Sequence, residues 1–529
     1  MSSKALHRAG LALAGLLVLA GLMLSSHAHA GANDEAVTAA RALRAWQFDE
    51  ARELITALVA KRPESQTSRY LKAELDFLDG RYEQVIVGLD GLDDEAVDGN
   101  VGSLRKLAAS SQAATSGFSF EVSAGGHFKI FYSGKDKAIV GLTGDVLEAA
   151  YEALGADLGH KPSHQIRVEL LGWPADLAMV STLTEAEIET TGTIALCKYG
   201  KLMVVSPRAT IFGYPWMDTL THEYVHYLVT QISHDNVPVW LHEGLARYLQ
   251  VRWRGDADGK LTGFDEALLA KALKKDTLIS FDKMHPSMAK LPSQEAAALA
   301  FAEVSTMVGY IHKTVGNAGL QAALMNIRNG MGARKAVAQA MDTEWNDLER
   351  DWIKHLKNSK FQAKGFAERG QKIHFRKGSG ESDNVGVEAI ANERAQKFTR
   401  LAGMLRVRGK IGAAALEYEK ALASSPGDPL IGAKLSRVYL ELGRHQEAIA
   451  IAEPLLALNE MDAVPPTTIG AAKLATGDHA GARAAFELAL RITPFDVRVR
   501  CGLAESYEQL KDKAASRERD VCDFLQATP

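Results

Sequence analysis

The sequence predicts a mixed α+β domain with all-α helical repeats on both sides. Three observations support this prediction: strand-like apolar runs in the middle of the chain, a 34-residue period near its end, and a helical pattern that carries His-Glu-x-x-His at residues 222–226. With 529 residues and 47% hydrophobic content, the chain can form several packed cores. We therefore expect a globular protein of several domains.

The first 30 residues have the features of a secretory signal peptide. Lys4 and Arg8 precede an apolar run over residues 11–24, and the small-residue segment Ala-His-Ala ends at residue 30. The run of 14 residues is short for a membrane span, and no cysteine near the cleavage site offers a lipid attachment point. We predict export from a bacterial cytoplasm to the periplasm or medium, with no integral membrane segment after signal removal. An uncleaved amino-terminal anchor is the alternative.

Charge and cysteine content limit the possible partners and crosslinks. The formal charge of −4 becomes −6 without Lys4 and Arg8, and this near balance argues against a nucleic-acid partner. Of the three cysteines, Cys501 and Cys522 could pair in an oxidising compartment. Because the sequence does not fix their separation, we interpret them as buried thiols.

The middle of the chain predicts a small sheet. Residues 127–133 and 166–173 are β-branched and aromatic runs typical of strands, and a helical pattern over residues 138–158 separates them. Two further runs, residues 193–197 and 202–206, flank Tyr199-Gly200 and predict a hairpin.

The motif at residues 222–226 predicts a catalytic zinc site. On a helix, His222 and His226 lie on one face and can offer two imidazoles to one metal ion. Glu223 lies beside them, so its carboxylate can act as general base on a metal-bound water without being a ligand. Pro238 is suited to the start of a second helix, on which Glu243 would supply the third protein ligand. We expect one Zn²⁺ per chain.

Two neighbouring residues are candidates for supporting roles. Asp218, four residues before His222, is interpreted as a helix N-cap, with the alternative that it accepts the second imidazole proton of His222. Arg247, one turn after Glu243, is a candidate salt-bridge partner of that carboxylate.

The strings HEYVH and WLHEGLARY resemble the gluzincin pattern, and the chain is most similar to bacterial peptidase MA-like domains over residues 118–360. This resemblance implies a zincin-like metallopeptidase fold with zinc ligands His222, His226 and Glu243 and with Glu223 as base. Where such enzymes place an oxyanion-stabilising tyrosine this chain has Phe301, which leaves three alternatives: Tyr310, Tyr248 and His242. The aminopeptidase hallmark Gly-x-Met-Glu-Asn is missing, which favours an endopeptidase.

The 34-residue period resembles tetratricopeptide repeats. Gly409, Gly443 and Gly477 share one column, and a degenerate fourth unit from about Ala504 has Lys511 in that column. Four positions near the amino terminus fall on the same columns: Trp46, Ala51, Leu58 and Pro63. Gly80 follows Trp46 by 34 residues. Each unit is a helical hairpin that needs a neighbour to bury its apolar face.

These patterns divide the chain into five segments. They are the signal peptide 1–30, amino-terminal tetratricopeptide-like repeats 31–117, the peptidase domain 118–360, a linker 361–393 with a Gly- and Ser-rich centre, and carboxy-terminal tetratricopeptide repeats 394–529.

The resulting hypothesis is an exported zinc metallopeptidase that acts on a peptide or protein substrate. The repeats would dock that substrate or a protein partner. The alternative is a noncatalytic periplasmic adaptor or assembly protein in which the zinc site is structural.

Overall fold

The computed structural model describes most of the chain after residue 29. The described residues are 30–94, 97, 100–256, 259, 261–285, 287, 288, 291–361, 373–376, 386–458 and 461–527. The predicted signal peptide falls outside them except for Ala30, as does most of the predicted linker. Within these ranges, no helix combines the length and the apolar character that a membrane crossing requires.

A five-stranded mixed sheet lies at the centre of the chain. Its strands are β1 Ser119–Val122, β2 Phe128–Tyr132, β3 Ile166–Leu171, β4 Ala195–Lys198 and β5 Lys201–Val205. The order is β1-β2-β3-β5-β4, with β2, β3 and β5 parallel and the two edge strands antiparallel. The predicted strands and the hairpin are confirmed, and Tyr199 and Gly200 adopt the positive φ values of 56° and 67° that a tight hairpin turn requires.

Helices precede, follow and separate these strands. The amino-terminal helices are α1 Ala30–Arg44, α2 Phe48–Lys61, α3 Gln66–Leu78, α4 Tyr82–Gly88 and α5 Val101–Ala114. The helices of the mixed domain are α6 Lys137–Leu158, α7 Pro174–Met179, α8 Glu185–Thr191, α9 Trp216–Ser233, α10 Val239–Leu249, α11 Gly263–Lys275, α12 Gln294–Arg328 with a break at Gly316, α13 Ala333–Ala340 and α14 Trp345–Asn358. The carboxy-terminal helices are α15 Glu393–Val407, α16 Ile411–Ser424, α17 Pro429–Glu441, α18 His445–Leu456, α19 Val464–Ala475, α20 His479–Leu490, α21 Val497–Gln509 and α22 Ala515–Ala527.

Successive side chains along each strand point to opposite faces of the sheet, so the residues of each face can be named. Phe128, Ile130 and Val168 are buried on the face that shares a core with α6 and α9. On the opposite face, Lys201 donates to Glu169 at 2.9 Å in a fully buried ion pair beneath the amino-terminal helices. The two faces therefore differ: one is apolar, and the other contains a buried charge pair.

The repeat columns correspond to one backbone conformation. Gly409, Gly443 and Gly477 follow the first helix of each hairpin with φ between 72° and 80°. The other three positions in this column also have positive φ: 57° at Trp46, 71° at Gly80 and 53° at Lys511. Two of these three residues are not glycine. The predicted columns are therefore confirmed at both ends of the chain, and the fourth carboxy-terminal hairpin begins at Val497 rather than near residue 504.

Both sets of helices pack against the mixed domain. At the amino-terminal side, the ring of Trp46 lies 5.4 Å from that of Tyr227 in α9. At the carboxy-terminal side, Trp216 Nε1 in the first turn of α9 donates to the Leu490 carbonyl at 3.0 Å. Gly213 has φ 75°, and a Cβ there would lie 2.2 Å from the Ile492 carbonyl oxygen. The close contact thus requires glycine at this position.

Parts of the predicted linker also contact the mixed domain. Phe375 is buried and forms an antiparallel bridge with Thr210, and the Arg376 N–H donates to the Ala209 carbonyl at 2.8 Å. Val387 and Ile390 are buried against α15 and α16. The central Gly- and Ser-rich stretch lies outside the described residues.

The carboxy-terminal cysteines form a disulfide. Cys501 in α21 and Cys522 in α22 are bonded, with Cα atoms 5.0 Å apart. Our interpretation of them as buried thiols is therefore wrong, because the antiparallel pairing of the two helices brings together residues that are 21 positions apart. Cys197 in β4 is a free thiol.

We expect Arg500→Met to destabilise the contact between the repeats and the mixed domain. The Arg500 side chain is fully buried and donates to the Ala138 carbonyl at 2.9 Å and to Glu518 at 2.7 Å. Its removal leaves the buried Glu518 carboxylate with only the more distant Arg517, at 3.8 Å, which costs about 3 kcal/mol. Urea unfolding followed by circular dichroism measures this loss.

Arg519→Met is the control. Arg519 of α22 pairs with Glu508 of α21 at 2.8 Å, and both side chains are well exposed. An exposed pair contributes less than about 1 kcal/mol. Equal losses in the two variants would contradict the role assigned to the buried arginine.

Candidate metal centre

Two consecutive helices bring the predicted metal ligands together. His222 and His226 of α9 have Nε2 atoms 3.1 Å apart, and each lies 3.5 Å from Glu243 Oε2 of α10. One donor atom of each residue lies within 4.8 Å of the others, and no other such group of three occurs among the residues described. The three donors converge on one point.

The local sequence explains the placement of α9. Leu220, Val225 and Leu228 are fully buried, so the helix is held on its apolar sides while the histidines project from the remaining one. The side chains of His222 and His226 are 18% and 12% exposed. They are therefore accessible but largely shielded from solvent.

A glycine allows the second helix to approach a third one. Pro238 is the N-cap of α10, as its position in the sequence suggested, and Glu243 lies in the second turn. A Cβ at Gly244 would lie 2.8 Å from the Val304 carbonyl of α12. The glycine in Trp-Leu-x-Glu-Gly thus has a packing role: it lets α10 lie close to α12 and fixes the position of Glu243.

Glu223 lies next to the donors and contacts the sheet. Its side chain is nearly buried, and the Cys197 backbone N–H of edge strand β4 hydrogen-bonds to its carboxylate. Burial raises the pKa of Glu223, and the neighbouring His226 and His222 oppose this shift. A carboxylate with a raised pKa is a stronger base, which suits a group that takes a proton from water.

Glu243 has the opposite electrostatic environment. Burial alone would raise its pKa, but His226 and His222 outweigh burial and lower the pKa well below its usual range. The carboxylate is therefore ionised at neutral pH, as a metal ligand must be.

Gln250 accepts from the ring of His222, a role for which the sequence suggested Asp218 as a candidate. Its Oε1 lies 3.1 Å from His222 Nδ1. Because an amide oxygen accepts, the ring proton lies on Nδ1 and the Nε2 lone pair faces the other donors. Gln250 is seven residues after Glu243, so the two share a face of the α10 helix and its C-cap. That spacing is the signal that could have identified it.

Both interpretations of Asp218 are wrong. Pro215 is the N-cap of α9, and Asp218 accepts from Trp253 Nε1 at 2.7 Å and pairs with Arg254 at 3.4 Å. Arg247 likewise pairs with Asp265 at 3.4 Å instead of with Glu243. The two side chains are oriented by residues from later in the chain, which helix spacing alone does not predict.

Three residues were candidates to replace the oxyanion-stabilising tyrosine, and one of them, His242, lies against the metal-ligand candidate His226. The His242 ring stacks on His226 with centroids 4.5 Å apart, and its Nε2 lies 3.3 Å from the Thr230 hydroxyl. The Tyr248 hydroxyl lies 3.0 Å from His312 Nδ1, and the Tyr310 ring packs against His355. Sequence reasoning gave His242 no further role, although it directly precedes Glu243.

The donor set fits a zinc ion. Two imidazole nitrogens and one carboxylate oxygen are ligands that catalytic zinc sites use, and three protein donors leave a coordination position open. His226 Nδ1 is buried and has no hydrogen-bond partner in the described part of the chain. His222, in contrast, has its outer partner in Gln250.

The overall similarity of the chain to curated proteins and to solved structures is low. No curated protein matches the chain. Among solved structures, the chain is similar to MamA AMB-1, with 19% identity, a TM-score of 0.24, and coverage of 27% of this chain and 80% of that one. It is also similar to the P58(IPK) TPR domain, with 12% identity, a TM-score of 0.22, and coverage of 91% of this chain and 98% of that one.

Family models match two segments. Residues 408–464 match a tetratricopeptide repeat, and residues 149–358 match the Peptidase MA superfamily. The second match contains His222, Glu223, His226 and Glu243. The chain therefore contains a Peptidase MA superfamily domain, which carries the candidate metal centre, and a tetratricopeptide repeat that follows it.

Proposed function

We propose that this protein is an exported zinc-dependent metallopeptidase of the gluzincin type with a zincin-like catalytic domain. The observation that carries the proposal is the convergence of His222, His226 and Glu243 beside a nearly buried Glu223. In this proposal the first three bind one zinc ion and Glu223 is the general base. A bound zinc ion would supply Lewis-acid activation of water and of a peptide carbonyl.

Glu223 performs the proton transfers in this proposal. Its carboxylate takes a proton from the attacking water and returns it to the leaving amine. A pKa raised toward the working pH suits a group that must do both. The Cys197 backbone N–H lies close enough to stabilise the ionised carboxylate. His242 beside His226 is the candidate donor to the oxyanion.

The position of the sheet's edge strand supports the proposal that the enzyme is an endopeptidase. Strand β4 is the last strand of the sheet, and its Cys197 contacts the base directly. An extended substrate backbone that pairs with this edge would pass the metal centre without a requirement for a free amino terminus. The missing aminopeptidase hallmark agrees with this proposal.

The disulfide supports export. Disulfides such as Cys501–Cys522 form and persist in oxidising compartments. Together with the predicted signal peptide, it favours the periplasm or the medium as the site of action.

The concave side of the repeats is the proposed docking surface for a substrate or protein partner. A small cavity there, of about 40 Å³, is lined by residues from the first helices of three successive hairpins: Arg437, Leu440, Val464, Thr467, Thr468, Ala471 and Arg498. It could take one small side chain of a bound partner.

We expect Glu223→Gln to abolish hydrolysis without loss of zinc. The amide cannot accept the proton from water, so the rate of cleavage of an unstructured protein should fall about a hundredfold or more. Zinc content, measured by mass spectrometry of the metal, should stay near one ion per chain because Glu223 is not a ligand.

Glu243→Gln is the control for ligation. It should lower zinc content and activity together, since the lost group is a ligand. Hydrolysis that persists in Glu223→Gln would remove that residue from the mechanism. Full zinc content with no activity in the wild type would favour the alternative, a noncatalytic adaptor with a structural site, for which Phe301 in place of tyrosine is the supporting observation.

We expect Gln250→Leu to weaken zinc binding about tenfold or more, because the ring of His222 loses the acceptor that fixes its tautomer. Competition with a chromogenic chelator measures the change. Gln250→Glu, which keeps an acceptor at this position, should retain the wild-type affinity or exceed it. Unchanged affinity in the leucine variant would show that His222 needs no such partner.

A further inference from the structure

Three arginines surround Asp218, one helical turn before His222. Arg254 pairs with Asp218 at 3.4 Å and with Asp256 at 3.1 Å. Arg247 and Arg491 are close enough to act electrostatically on the same carboxylate. One helical turn is about 5.4 Å, so this cationic cluster lies beside the metal centre.

Arg491 differs from the other two because it belongs to the repeats. It directly follows α20, and its guanidinium lies 5.7 Å from the centre of the Trp253 ring. Trp253 is three residues after Gln250, the partner of His222, and its Nε1 donates to Asp218. The carboxy-terminal repeats therefore contribute a cation to the surroundings of the metal centre.

The acidic groups near Arg491 are already engaged. Asp218 accepts from Trp253 and pairs with Arg254, and Asp256 also pairs with Arg254. Across the described ranges, Arg491 forms no ion pair of its own, and its side chain is partly exposed. Burial and the neighbouring Arg254 lower the pKa of Arg491 and outweigh the opposing effect of Asp218, Asp256 and Glu487. Glu487 is engaged too, since it accepts from the Tyr507 hydroxyl and lies 3.7 Å from Arg483.

A guanidinium without an ion-pair partner is suited to bind a carboxylate. A guanidinium presents parallel N–H groups that match the two oxygens of a carboxylate, and charge-assisted bonds of this kind are stronger than neutral ones. The Trp253 ring lies on one side of the guanidinium, at 5.7 Å from its carbon, and contributes a cation–π contact.

We propose that Arg491 binds a carboxylate of the bound peptide, so that the repeats complete the substrate site of the peptidase domain and give it a preference for acidic substrates. This inference rests on the proposed function in that a peptide occupies the cleft. The carboxylate can belong to an Asp or Glu side chain or to a peptide's free carboxyl terminus, since both present the same two oxygens.

Binding of labelled peptides tests the inference without catalysis. The zinc-loaded Glu223→Gln protein, which retains its full chain, is titrated into fluorescein-labelled short peptides and the anisotropy is recorded. One set carries a single glutamate at each position in turn with an amidated end, a second carries glutamine instead, and a third carries glutamine with a free carboxyl end. We expect a glutamate or free-carboxyl peptide to bind about tenfold more tightly than its neutral counterpart.

Arg491→Gln should remove this difference, and Arg491→Lys should keep part of it. The matched control is Arg519→Gln in α22, where the arginine pairs with Glu508 at 2.8 Å and neither group acts on Arg491. This control loses the same charge and should keep the full preference. Thermal unfolding and zinc content of each variant show whether the fold and the metal centre are intact.

The possible results separate the inference from the proposed function. Equal binding of charged and neutral peptides, no binding of any peptide, or a preference that survives Arg491→Gln would overturn the inference. If the charge preference is present but the wild type cleaves none of these peptides, the inference stands and the proposed peptidase activity fails. If the wild type cleaves charged and neutral peptides equally, only the inference fails.

Discussion

The burial of helix α9 is the constraint on which the rest of the structure depends. The helix packs against the sheet through Tyr224, whose ring lies 5.3 Å from Phe128. Trp46 packs against its Tyr227 from the amino-terminal helices, and the carbonyl of Leu490 receives the Trp216 indole N–H from its first turn. Three separate parts of the chain thus meet on one helix, and the same helix carries both histidines of the candidate metal centre.

This enclosure explains how a cluster of charged and polar groups stays in place. Three of the four groups at the centre have a support: Gln250 for His222, the nearby Cys197 N–H for Glu223, and the close α10–α12 contact at Gly244 for Glu243. Because packing holds these supports, little rearrangement is needed when a metal ion binds. The pKa shifts of Glu223 and Glu243 in opposite directions follow from the same arrangement, since one carboxylate is mainly desolvated and the other lies between two imidazoles.

Features set by local periodicity were predictable from the sequence, and those set by distant contacts were not. The 34-residue period placed Trp46 and Lys511 in the glycine column although neither is glycine, and the structure gives both the left-handed conformation that the helical hairpin imposes there. Helix spacing likewise identified His222 and His226. The actual partners of Asp218 and the Cys501–Cys522 bond depend on how helices meet in space, so no spacing along the chain indicates them.

The attachment of repeats to both ends of α9 has a mechanical consequence. Trp46 contacts the helix near its carboxyl end through Tyr227, whereas Leu490 and Ile492 hold the segment that leads into its first turn. A pulling force between the two sets of repeats would therefore act on the helix between Tyr227 and Trp216, the segment that carries both histidines. Helix α6 would share that load, because Arg500 of the repeats donates to its Ala138 carbonyl.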